Sequence, residues 1–268
     1  MAVITIISDY GWKDPYTAAL KGHLLSEIEG CTLVDITHSI PPFNLRETAH
    51  ILNNSYHHFP KNSIHLLCVD EEIRTDRQVM AMYFNGHYFV GLNNGLFALI
   101  TQERKDFELV DIDAVLLEEA KTSREKFTII AGHLHRGGKL AMLGKKATTF
   151  KELNLPKATL SNNDSTIIGI VMYIDHFGNA VTNVTQNLFE ETAKGRSFEI
   201  IIPMVRKTIT KVLKGYGEAT NSGSGIAVFN SNGLLEIAIY KPGGQFNNGA
   251  HTLLGLGLDD AITIKFKQ

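Results

Sequence analysis

The stretch that most constrains this chain is Ile4 to Gly22, ITIISDYGWKDPYTAALKG. It opens on an apolar, β-branched run, Val3 to Ile7, which reads as a buried strand. Ser8, Asp9, Tyr10 and Gly11 come next, and from Tyr16 to Ile28 the apolar residues recur at helical spacing until Gly30 stops the pattern. The unit is therefore strand, polar loop, helix. Asp9 falls just past the carboxyl end of the strand, where open α/β sheets bind ligands. Asp14 precedes Pro15, a pairing expected to cap the helix with proline at its first position. A lone Asp in such a loop more often turns the chain than binds anything. Its weight depends on whether later strands also end in polar clusters.

Three further strands do. Thr32 to Ile36 runs into Thr37, His38 and Ser39, and then Pro41 and Pro42 force an extended segment up to Phe43. Asn44 or Leu45 starts a helix through Leu52. Ser63 to Val69 is a strand with Asp70 at its end. Gln78 to Phe84 and His87 to Gly91 pair across the Asn85-Gly86 turn. Asn93, Asn94 and Gly95 then precede the apolar run Leu96 to Ile100, Phe107 to Ile112 is a strand, and Phe127 to Met142 reads mainly as helix. The expectation is an α/β N-terminal domain over residues 1–155 with a mostly parallel sheet. If its strands are parallel neighbours, Asp9, Thr37, His38, Asp70, Asn93 and Asn94 converge on one edge. Residues 156–166 carry a proline and a Ser/Asn/Asp cluster and read as a linker. Residues 167–268 alternate short strands with glycine turns, which predicts a smaller all-β, barrel-like C-terminal domain.

Composition narrows the function classes. A formal net charge of -2 gives no pull toward nucleic acid or an anionic membrane. No run approaches the roughly 20 apolar residues of a membrane span, so a cytoplasmic protein is expected by default. Cys31 and Cys68 lie in apolar surroundings and read as free thiols. The histidines form no HExxH and the cysteines no CxxC, so no metal site is expected, and no glycine-rich phosphate loop occurs. Asp70 is followed by Arg74 and Arg77. An Asp–Arg pair can hold and polarise a water, or it can be a loop salt bridge. In the C-terminal half, Asp175-His176-Phe177-Gly178-Asn179 places an acid, an aromatic and an amide around one glycine. By itself that is a turn in which Asp and Asn satisfy their own backbone.

Taken together, SDYGWKDPYTAALKG, DITHSIPPFNLRETA, CVD with Arg77 after it, NNGLF, YIDHFGNAVTNV and FNSNGLLEIA resemble the S-adenosylmethionine (SAM) hydroxide adenosyltransferases, which share a fold with the fluorinase and chlorinase. The resemblance implies hydrolysis of SAM to adenosine and methionine, by attack of water or hydroxide on the ribose C5′ bonded to the sulfonium, with SAM as substrate and no further cofactor. It implies a homotrimer with its sites at subunit interfaces. It gives Asp70 and Arg77 catalytic roles, places Asp9 on the ribose hydroxyls and Phe43 beside the ribose, and assigns Asp175, Phe177, Asn179 and Ser231 to the methionine end. The chain departs from the family pattern in three places. Glu71, Glu72, Ile73 and Arg74 replace a Pro-Gly-Val-Gly type loop after Asp70. Thr122 aligns with the family's catalytic His, with His133 or His135 as substitutes under a shifted alignment. Asn232 stands where an Arg often follows Ser231. These departures keep open a second expectation, a SAM- or adenosine-binding protein of the same fold that has lost catalysis.

Overall fold

The structure, a computed structural model, describes residues 2–72, 74, 77–161, 164–203, 207–243 and 249–267. The chain divides into two compact units, residues 1–155 and 156–268.

The first unit runs β1 (Val3–Ser8), α1 (Tyr16–Glu27), β2 (Thr32–Thr37), α2 (Leu45–Asn53), β3 (Ile64–Cys68), β4 (Val79–Phe84), β5 (His87–Leu92), α3 (Leu96–Thr101), β6 (Phe107–Ile112), α4 (Ser123–His135) and β7 (Gly144–Ala147). Its sheet has the order β2-β1-β3-β5-β4-β6-β7. The sheet is mixed, which corrects the expectation of a mostly parallel one. β2, β1, β3 and β5 are parallel neighbours. β4 turns back on β5 through the tight Asn85-Gly86 turn, and β6 and β7 continue antiparallel. A two-residue connection permits only the antiparallel arrangement, since a parallel return needs a crossover of a dozen residues or more.

Side chains alternate across the sheet and build two cores. Ile4, Ile6, Leu66 and Val90 pack on one face against Leu20 and Leu24 of α1 and Phe127, Ile130 and Leu134 of α4. Ile7, Leu67, Met82 and Phe89 pack on the other against Ala49 and Leu52 of α2 and Phe97 of α3. The helices depart from the sequence expectation in detail. Leu96 to Thr101 is a helix, entered from Gly95 at φ 110°. Asp14 does not cap α1, whose N-terminal boundary is Pro15 with no side-chain cap. Asn44 does cap α2, its side chain accepting from Glu47 N–H. α4 starts at Ser123 and ends at His135, short of the expected Met142.

The second unit runs β8 (Thr159–Ser161), β9 (Thr166–Ile174), β10 (Ala180–Thr185), α5 (Gln186–Ala193), β11 (Phe198–Ile202), β12 (Lys207–Ile209), β13 (Val212–Leu213), β14 (Gly225–Phe229), β15 (Leu234–Ile239), α6 (Ala250–Leu253) and β16 (Ala261–Phe266). The strand order is β12-β11-β16-β9-β10-β15-β14-β13, a nearly barrel-like sheet, with β8 added on β9. β8 lies inside the segment that reads as a linker. The long strand β9 pairs β16 through Thr166–Ile170 and β10 through Val171, Tyr173 and Ile174. Two short helices interrupt what reads from the sequence as all-β, and α5 inserts Phe189 among Phe198, Phe229 and Phe266. No helix among the described residues is long and apolar enough to cross a membrane.

Candidate active site

The site in the first unit follows from strand register. Ser8 and Cys68 are partners on the parallel strands β1 and β3, so Asp9 and Asp70 leave the sheet side by side. Asp9 Oδ2 accepts the Asp70 N–H at 3.3 Å and the Phe43 N–H at 2.9 Å. Both residues that it holds have left-handed backbones, φ 49° at Asp70 and 65° at Phe43. Such conformations cost on the order of 1–3 kcal/mol in a non-glycine residue and persist only where surrounding bonds enforce them. One carboxylate thus fixes two loops, and it leaves the Phe43 ring 70% exposed beside it. The parallel order also brings the ends of β2 and β5 to this edge. Gly11 N–H donates to His38 O at 2.9 Å, and Asn94 Nδ2 donates to Val69 O at 3.0 Å. Asn93 turns away, accepting the Lys151 N–H.

Of the two arginines after Asp70, Arg77 is the one that reaches it. Its Nη1 lies 2.9 Å from Asp70 Oδ1 and also donates to the Asp70 carbonyl at 3.3 Å. The two side chains are only 13% and 16% exposed, so solvent screens this pair less than a surface one. Arg74 pairs instead with the exposed Glu72. Behind Asp9, the buried Ser8 hydroxyl lies 2.6 Å from His38 Nδ1. On its other side His38 Nε2 is 3.1 Å from Asp35 Oδ1, but not aligned for a hydrogen bond. Burial lowers the His38 pKa, partly opposed by Asp35. With its serine and histidine sealed from solvent, this row serves as a buttress under the Asp9 loop.

Thr122, the expected counterpart of the family histidine, is the N-cap of α4. Its hydroxyl accepts the Glu125 N–H at 3.2 Å while Glu125 reaches back to the Thr122 N–H, a complete capping box. His133 and His135 sit at the other end of that helix, about 18 Å away at 1.5 Å per residue. Each is engaged with a backbone carbonyl, of Lys139 and Ala2 respectively. Neither histidine stands near Asp70.

The side chain that sequence reasoning did not single out is Glu71. The left-handed turn at Asp70 sends it inward. Its carbonyl accepts from Ser123 Oγ at 2.7 Å, which ties it to the first turn of α4. Tyr10, Cys68, Asp9 and Arg124 lie within electrostatic reach of its carboxylate. Burial pushes its pKa up to about 7, against the lowering effect of Tyr10 and Arg124. Arg124 in turn lies over the rings of Tyr10 and Tyr16. Nothing in the string Asp70-Glu71-Glu72 tells which acid is inside, since burial here depends on a loop turn and on a helix about 50 residues further along the chain.

In the second unit, Asp175, Phe177 and Asn179 come together in the β9–β10 turn. Asp175 Oδ1 accepts the N–H groups of Phe177 and Asn179 at 2.9 and 2.8 Å, and Asp175 Oδ2 accepts from Asn179 Nδ2 at 2.9 Å. The self-satisfied turn is therefore realised, and it holds the Phe177 ring outward, 73% exposed. A side chain at Gly178 would be strained, since its φ is 76° and a Cβ would crowd the Gly249 Cα at 3.0 Å. Tyr216, which the sequence did not point to, hydrogen-bonds Glu236, and Glu236 also accepts from Asn230. Burial, then that bond, raise the Tyr216 pKa, and Asp175 and Asn179 are also within its reach. Ser231, beside Asn230, lies exposed in the β14–β15 turn. Among the described residues no three His, Cys, Asp or Glu side chains are placed to hold a metal ion.

Comparison with known proteins places these loops in a family. Residues 4–144 match the model of the SAM hydroxide adenosyltransferase N-terminal domain, and residues 169–263 that of the C-terminal domain. The chain is 30% identical to an (R)-S-adenosyl-L-methionine hydrolase of Thermus thermophilus, over 90% of this chain and 93% of that one. It is 26% identical to an enzyme of the same name from Methanocaldococcus jannaschii, over 98% and 95%. It is 25% identical to a fluorinase of Actinopolyspora mzabensis, over 88% and 90%. The crystal structure of a conserved Thermotoga maritima protein superposes with a TM-score of 0.84 at 26% identity, covering 98% of this chain and 99% of that one. With both of its units matched in order, the chain belongs to the SAM hydroxide adenosyltransferase family.

Proposed function

We propose that this protein hydrolyses SAM to adenosine and L-methionine. The observation that carries the reading is the Asp70–Arg77 ion pair at the carboxyl end of β3, beside the Asp9 carboxylate. In this reading Asp9 receives the ribose hydroxyls and the exposed Phe43 ring lies along the sugar. The attacking water sits at Asp70, oriented by it and by Arg77. Asp175, Phe177, Asn179 and Ser231 form the methionine end, with the Asp175 carboxylate toward the amino group. The water oxygen bonds to C5′ as the C5′–S bond breaks, and the electron pair leaves on sulfur. The sulfonium departs as a neutral thioether, so no acid has to protonate it. What the enzyme must supply is alignment, exclusion of bulk water and a proton acceptor. A carboxylate at the attack position repels an anion, which favours water over halide as nucleophile. The same reading takes the chain as a homotrimer with its sites at subunit interfaces and with SAM as its small-molecule partner.

The capping role of Thr122 favours one second reading, a protein that binds SAM without turning it over. One experiment separates the two. Purified protein is incubated with SAM and sampled by chromatography, with Asp70→Ala as control. Adenosine that accumulates and drops at least ~100-fold in the variant is expected. SAM bound in calorimetry with no adenosine over hours would establish the binding module instead.

A further inference from the structure

The hydrolysis reading leaves one role without an occupant. The water must give up a proton; an arginine cannot take it, and the Asp70 carboxylate that orients the water has its Oδ1 engaged by Arg77 at 2.9 Å. The expected counterpart of the family base, Thr122, is an alcohol whose oxygen is already committed to the Glu125 N–H. The two histidines of α4 lie at its far end.

Glu71 brings a second carboxylate to the same loop, within electrostatic reach of Asp9, which holds the Asp70 N–H. It is the residue directly after Asp70, and the turn at Asp70 separates the two carboxylates, one toward Arg77 and the other inward. Ser123 Oγ anchors the Glu71 backbone to the first turn of α4, next to Thr122. Its atom Oε2 is buried and has no hydrogen-bond partner among the described residues. The Tyr10 hydroxyl is near enough to act on Glu71, yet no bond of normal geometry closes between them, and Tyr10 Oη is itself buried without a partner among the described residues. A buried carboxylate oxygen with nothing donating to it is costly unless a water or ligand completes it. Resting on the hydrolysis reading, we propose that Glu71 is the proton acceptor for the attacking water, working from the loop after β3 in place of a base at the start of α4.

The atoms and charges of this step balance. A water O–H bond breaks and its proton passes to Glu71 Oε2. The O–C5′ bond forms, the C5′–S bond breaks, and methionine leaves with the electron pair. Glu71 then returns the proton to solvent. Its surroundings suit an acceptor that works near neutrality. Burial and the Asp9 charge favour the protonated form, while Tyr10 and Arg124 favour the ionised one, and the balance lies at about 7. The groups within its electrostatic reach are Asp9 and Tyr10 from the β1–α1 loop, Cys68 from β3 and Arg124 from α4, with Asp70 and its partner Arg77 adjacent in the loop.

The test is the pH dependence of adenosine formation in wild type, Glu71→Gln and Glu71→Asp, with SAM affinity measured for each by calorimetry. In wild type, kcat is expected to rise with pH through a limb near 7. Glu71→Gln should lose ~100-fold or more in kcat, lack that limb and still bind SAM. Glu71→Asp should restore part of the rate, with the limb moved. Equal rates and identical profiles for wild type and Glu71→Gln would overturn the assignment and leave hydrolysis standing. Wild type that makes no adenosine at any pH would overturn the hydrolysis reading, and this assignment with it. Loss of SAM binding together with rate in both variants would make Glu71 a binding or structural residue and also refute the proposal.

Discussion

Glu71 also makes a prediction that requires no turnover at all. Its folded-state pKa is raised from 4.5 to about 7 by burial. For an acid shifted upward, the folded state prefers the protonated form. The associated stability is fully present below 4.5, and it is lost as pH rises through the window from 4.5 to 7. Between about pH 5 and pH 8 that amounts to about 2.5 kcal/mol, at roughly 1.36 kcal/mol per pKa unit. Glutamine copies the shape of the protonated acid and cannot ionise. Glu71→Gln should therefore match wild type within about 0.5 kcal/mol near pH 5 and exceed it by about 2 kcal/mol near pH 8. The assay is urea unfolding followed by circular dichroism at both pH values. With a slope of about 2–3 kcal/mol/M, the difference appears as a midpoint shift on the order of 1 M. The comparison between the two proteins matters, because other groups change the stability of both in the same way. A difference that stays constant across this pH range would show that Glu71 is an ordinary solvated carboxylate. The physical basis for its catalytic role would then be gone.

Two further outcomes rest on the same geometry. Thr122→Ala removes the N-cap of α4 and should cost about 1 kcal/mol in unfolding experiments. Since its hydroxyl is committed to the helix, adenosine formation should change less than about 3-fold, and a loss comparable with that of Asp70→Ala would assign Thr122 a chemical role. The second concerns His65, which lies 2.6 Å from Thr5 Oγ1 and 3.2 Å from His87 Nδ1 inside the first unit. Burial lowers His65 to about 3 and His87 to about 4, so both fold as neutral rings. Their unfolded counterparts take up protons from about 6.5 downward, so stability falls with pH from about 6.5 toward 4. His65→Gln should flatten the fall in stability between about pH 6.5 and pH 4.5, and an unchanged pH slope in the variant would contradict the burial of this pair.

The sequence by itself determined the local pieces, because each rests on short-range chemistry. The β1 run of Ile and Thr, the helical spacing after Tyr16, the Asn85-Gly86 turn and the Asn44 cap are all encoded within a few neighbouring residues. It also placed Asp9 and Asp70 at strand ends, the position from which a loop acid reaches a ligand in an α/β sheet. The motif order carried the family resemblance, and the two domain models of that family match in the same order. The tertiary structure decided what depends on pairing at a distance. β6 and β7 joined the sheet antiparallel beyond β4, a pairing at a distance that no local pattern states. Arg77 rather than Arg74 reached Asp70, with Arg74 held by Glu72 instead. Glu71 took its place against α4 through a contact that no local pattern contains. The left-handed backbone at Asp70 and the start of α4 meet there, and low dielectric with no partner for Oε2 among the described residues gives an otherwise unremarked glutamate its chemistry.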